Sequence, residues 1–123
     1  MTMPPVNNLL PDAPFIPLAP EVRAAYRNLY NKIQAALDNT MDLAVTQALN
    51  PWWKEVDQVL TKDDLYKLAK DTTAFDALRK QIDYTNTGLK TLKDQIASIA
   101  SHFAMASDII AAIDAVLALV PGA

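Results

Sequence analysis

A seven-residue repeat of apolar side chains constrains this chain more than any other feature. Leu68, Phe75, Ile82, Leu89, Ile96, Phe103, Ile110 and Leu117 follow one another at intervals of seven. A companion series, Leu78, Thr85, Leu92, Ile99, Ala106, Ile113 and Val120, keeps the same interval, with Thr85 its one polar member. An α-helix repeats every 3.6 residues, so a period of seven keeps one stripe turned toward a neighbouring helix. Burying each large member contributes roughly 1.5–3 kcal/mol of transfer free energy. The pattern predicts an all-α fold, with the stripe hidden against other helices as in a coiled coil.

Connectivity is read from the residues that interrupt helices. Val22, Tyr26, Leu29, Ile33, Leu37, Met41, Ala44 and Ala48 recur at helical spacing and predict a first helix over 21–49. Asn50-Pro51 is its expected stop, because a residue before proline is pushed out of the helical region. Pro51 then opens a short helix over 51–60, and Thr61-Lys-Asp-Asp64 resembles a capping box that starts the next. Asp83 to Gly88 is the poorest helix-forming stretch after Thr61, so the chain is expected to turn at Gly88, between helices over 62–84 and 89–119. The preserved register would also suit one unbroken helix. The matched lengths favour an antiparallel helical bundle of three long helices plus one short helix.

Six of the eight prolines fall in the first 20 residues, and Pro11, Pro14, Pro17 and Pro20 recur every third position. Residues 1–20 are therefore expected to form a proline-rich extended arm, with 21–123 as the helical bundle domain. Leu9, Leu10, Phe15, Ile16 and Leu18 fit a strap laid on the bundle better than a bare linker, and a ligand for another protein's aromatic groove is the competing reading.

The residue inventory excludes most chemistry. There are no cysteines, one histidine and two glycines, so disulfides, thiolate metal sites, paired imidazoles and glycine-rich phosphate loops are ruled out. A net charge of −3 argues against nucleic acid as a partner. The two glutamates, Glu21 and Glu55, lack the histidine spacing of a di-iron bundle, and no glycine lies among the acids of 57–83 to form a calcium loop. Those acids alternate with lysines and arginines and read as a solvated mixed-charge face. Ser98 lies one turn from His102, but a helix interior supplies no oxyanion hole. No catalytic residue, cofactor or metal site is expected, and the chain reads as no enzyme.

What remains is contact surface. Trp52 and Trp53 point about 100° apart on a helix, so one is expected to pack inward with Val56 and the other to face outward as an interface anchor. The candidate interface comprises Trp52, Trp53, Phe75, Ile82, Leu89, Ile96, Phe103, Ile110 and Leu117, and its partner is another protein or a second copy of the chain. The last helix has a wide apolar face that fits a central helix first and a subunit contact second. Read instead as a membrane-active element of a pore-forming or toxin-like protein, it would offer Ile109, Ile110, Ile113, Val116, Leu117 and Val120 to lipid. Asp108 and Asp114 oppose a stable span, and no secretory signal is expected from the proline-broken start, so the default expectation is the cytoplasm. A third reading, a small apolar ligand between helices, would use Phe75, Phe103, Met105 and Tyr84.

Overall fold

Pro20 stands in the first turn of helix α1 (Pro20–Asn39), where a missing N–H leaves no helix bond unmade. The computed structural model describes residues 18–119, and four helices account for nearly all of them. After α1 come α2 (Leu43–Ala69), α3 (Thr72–Ser98), a 3₁₀ turn (Ala100–His102) and α4 (Ala106–Leu119). No strand occurs among the described residues. Residues 1–17 of the arm, and Val120, lie outside them.

The helix boundaries differ from the sequence reading at every internal break. The first helix ends at Asn39, well before Leu49. Thr40 is extended, and Asp42 caps α2 by accepting bonds from the backbone N–H groups of Ala44 (2.8 Å) and Val45 (3.2 Å). Pro51 neither stops nor starts a helix, because α2 runs straight through it. Pro51 and Gln47 are both exposed, so water can satisfy the carbonyl that proline leaves without a donor. Thr61 lies inside α2 and caps nothing. The next turn comes at Lys70, whose φ of 53° and ψ of 37° put it in the left-handed region. Its N–H closes onto the carbonyl of Tyr66 at 2.7 Å, and Asp71 caps α3 through the Ala74 N–H at 2.8 Å.

Gly88 does not turn the chain either, since α3 continues through it to Ser98. A Cβ at position 88 would collide with Cη2, Cζ3 and Cζ2 of the Trp52 indole. The glycine is there so that an aromatic ring from α2 can lie against the α3 backbone. The result is four packed helices of 20, 27, 27 and 14 residues, with no separate short helix at 51–60.

Each helix packs mainly on two others: α2 against α1 and α3, and α4 against α1 and α3. The last helix is thus one wall of the group and not its centre. Residue pairs along α1 and α2 run in opposite senses, from Arg23 with Asp63 to Gln34 with Trp53. The stripe Val45, Leu49, Trp52, Val56, Val59, Asp63 and Tyr66 turns α2 inward, and Phe75, Leu78, Ile82, Thr85, Leu89, Leu92 and Ile96 do the same for α3. The seven-residue register therefore holds within α3. It fails at Leu68, which is 83% exposed before the Lys70 turn. In α4 the buried set is Ala106, Ile109, Ala112, Ile113 and Val116: Ala106 and Ile113 keep the companion series, while Ile109 and Val116 take the inward places expected of Ile110 and Leu117.

Asp63 departs most from the expected solvated face. It occupies a core position of the α2 stripe and is fully buried. Its carboxylate accepts from the Leu18 backbone N–H (2.9 Å), Arg23 Nη1 (2.7 Å) and Lys67 Nζ (2.7 Å), which satisfies the buried charge. Leu18, the first described residue, is itself buried.

Candidate functional site

An outer groove between α2 and α3 is lined by residues of both helices. Three clefts line up in it. The first, of about 410 Å³, lies among Ala44, Gln47, Ala48, Pro51, Gln95, Ser98 and Ile99. The second, about 500 Å³, is framed by Trp52, Tyr84, Thr87, Gly88 and Thr91. The third, about 290 Å³, lies among Leu65, Ala69, Thr73, Ala74 and Ala77. Only Asp83, Lys62 and Asp71 bring charge to these walls. Leu65 stands exposed at the third cleft. A surface poor in charge with aromatic side chains at its middle has the composition of a contact face.

Trp52 lines this face and Trp53 does not, and neither looks freely outward. Trp53 stacks on Tyr30 of α1 (centroids 5.6 Å, interplanar 18°) and its Nε1 donates to Gln34 Oε1 at 3.1 Å. Trp52 turns the other way, against Tyr84 of α3 (5.7 Å). The expected angular separation is real, but α2 lies between two helices and each ring has one of them to pack on.

Between α2 and α3 runs a partly buried set of polar groups, in which Gln81, Thr85 and Asn86 are buried and Glu55 and Lys62 half-buried. Gln81 Nε2 donates to Thr85 Oγ1 (2.9 Å) and Glu55 Oε1 (2.8 Å), while Lys62 Nζ donates to Gln81 Oε1 (2.9 Å). The Tyr26 hydroxyl donates to Asn86 Oδ1 at 2.7 Å, and burial pushes that phenol above its ordinary range. Asn86 Nδ2 has no partner among the described residues.

A separate cleft of about 310 Å³ opens where the α1–α2 connection meets the segment before α4. His102 Nδ1 lies 2.8 Å from Asp42 Oδ2 across it. The hydrogen bond from that ring holds the Asp42 carboxyl below the usual carboxylate range, with the caps to Val45 and Ala44 adding to the effect. Met41, Phe103 and Met105 line the same cleft. Sequence spacing pairs His102 with Ser98 and misses Asp42, because the two meet only through connections whose positions the sequence reading placed elsewhere.

No family model, curated protein or solved structure matches the chain. Of the candidate interface residues, Phe75, Ile82, Leu89 and Ile96 are buried inside this one chain, and Phe103, Ile110 and Leu117 are half-buried. Ile109, Ile113 and Val116, expected to face lipid in the membrane reading, are also core residues. No helix among the described residues is long and apolar enough to cross a membrane. The four residues of the expected ligand pocket are not brought together. Phe75 packs on Tyr66, Tyr84 on Trp52, and only Phe103 and Met105 share a cleft. Leu65 and Asp42, at the third cleft and the loop-end cleft, are not singled out by sequence pattern, and Tyr84 is singled out only for the apolar-ligand reading.

Proposed function

We propose that the protein is a non-enzymatic interaction module that self-associates, two copies joining through the α2–α3 groove. In this reading each copy is an antiparallel helical bundle held together by its own apolar seam, and the groove is left for the partner copy. The observation that carries it is the match between a projection and a hollow at equal distances from the groove's centre. Val56 is the middle residue of α2, Leu65 lies nine residues after it, and Gln47, in the first cleft, lies nine before it. Both are about 14 Å from the centre at 1.5 Å per residue. A two-fold axis through the middle therefore sets the exposed Leu65 of each copy into the first cleft of the other and brings the two Tyr84 rings together. Two helices about 40 Å long and roughly 10 Å wide present about 800 Å² per copy, the size of a standard stable interface.

Sedimentation equilibrium over a concentration series tests this reading. The native chain is expected to reach the mass of a dimer, and Leu65→Glu and Tyr84→Glu to remain monomeric with unchanged far-UV circular dichroism. A native chain that stays monomeric at high concentration, or a dimer indifferent to both substitutions, overturns it.

A further inference from the structure

The cleft at the loop end gathers an unusual set of donors. His102 presents one ring nitrogen, Nδ1, to Asp42 at 2.8 Å, and Nε2 has no partner among the described residues. Met105 follows three residues later and is half-buried at the cleft. Met41 reaches the cleft from the other connection and is fully exposed. So exposed a methionine adds little to the core, and its three rotatable bonds let the thioether swing to a neighbour.

We propose that this cleft binds one soft monovalent cation, Cu(I) or its analogue Ag(I), through His102 Nε2 and the sulfurs of Met41 and Met105. Thioether and imidazole donors select such an ion. The chain has no cysteine, so methionine is its one source of sulfur. No three carboxylate or imidazole groups converge among the described residues, which disfavours zinc at the same place. Asp42 is the positioning residue. A carboxylate on the remote nitrogen fixes the tautomer and aims the other nitrogen, and loss of such a partner typically lowers metal affinity about 10–100-fold. Bound there, the ion would tie the α1–α2 connection to the segment that leads into α4, a role independent of the dimer groove.

The test uses the full chain without oxygen, competing for Cu(I) against bicinchoninate, with a parallel Ag(I) titration followed by methionine-methyl NMR. Uptake of one ion per chain is expected, with the methyl signals of Met41 and Met105 moving together. Met41→Leu and Met105→Leu should each weaken binding at least tenfold, while Met3→Leu should not. Met41 is exposed, so its variant keeps the fold. Asp42→Asn retains an α2 cap, yet should weaken binding about tenfold and shift the His102 ring ¹⁵N signals toward a mixed tautomer. Failure to take copper from the chelator, unchanged affinity in Met41→Leu, or shifts confined to Met1 and Met3 overturns the site. Unchanged affinity and tautomer in Asp42→Asn overturn the role given to that residue.

Discussion

Gly88→Ala sets two effects of opposite sign against each other. In an open helix interior, alanine is favoured over glycine by about 1 kcal/mol. At position 88 the added methyl meets Cη2, Cζ3 and Cζ2 of Trp52, the outer edge of the indole, well inside contact distance. Forcing a side chain out of a packed site costs about 1–3 kcal/mol. The ring also has its contact with Tyr84 to lose, worth about 0.5–1.5 kcal/mol for an aromatic pair. The clash should win, so that Gly88→Ala destabilises by about 1–2 kcal/mol. A phenylalanine at 52 lacks the colliding edge. In a Trp52→Phe background the same alanine should therefore stabilise, by up to about 1 kcal/mol, and the cycle should show about 2 kcal/mol of coupling. Urea unfolding of the four proteins, followed by far-UV circular dichroism, measures this directly. If Gly88→Ala stabilises the native chain, or acts equally in both backgrounds, the glycine is not a notch for Trp52.

Three further expectations follow from the helix interiors. Pro51→Ala restores a backbone donor in the exposed interior of α2 and should raise stability by about 1–3 kcal/mol; a lower urea midpoint would show that packing needs a bend there. Asp63→Ala leaves the Leu18 N–H, Arg23 and Lys67 without their shared acceptor and should cost about 2–3 kcal/mol, and Asp63→Asn less, because it keeps an acceptor for Leu18; equal costs in denaturant titrations would refute that division. Tyr26 is held neutral by burial in the fold but ionises near pH 10 when unfolded, so its contribution is intact below about pH 10 and is lost as pH rises beyond it. Tyr26→Phe should flatten the alkaline fall in melting temperature, and an unchanged profile would refute the assignment.

Helical class and the inward stripe of α3 were legible because apolar spacing reports directly on burial. The turns were not legible, because the residues that usually mark them do other work here. Proline at 51 sits on an exposed face where a missing hydrogen bond is tolerated, and glycine at 88 makes room for a ring. The actual turn at Lys70 uses a left-handed lysine, a residue type that carries no signal for that conformation. Leu68 fits the sevenfold count in sequence alone, since it stands exposed on α2 before the Lys70 turn. Asp63 was hidden for a related reason: its neighbours in sequence are charged, and only its place between Val59 and Tyr66, with Lys67 one turn on, betrays an inward direction. The groove was partly visible in Trp52, but Leu65 and Tyr84 belong to no repeat.

The back-to-back placement of Trp52 and Trp53 equips the molecule with two native optical probes. One indole senses the boundary with α3 and its neighbour the boundary with α1. Keeping either fluorophore and replacing the other with phenylalanine lets a stopped-flow trace record when each boundary parts. The order in which α2 loses its two companions can thus be timed without attaching a dye.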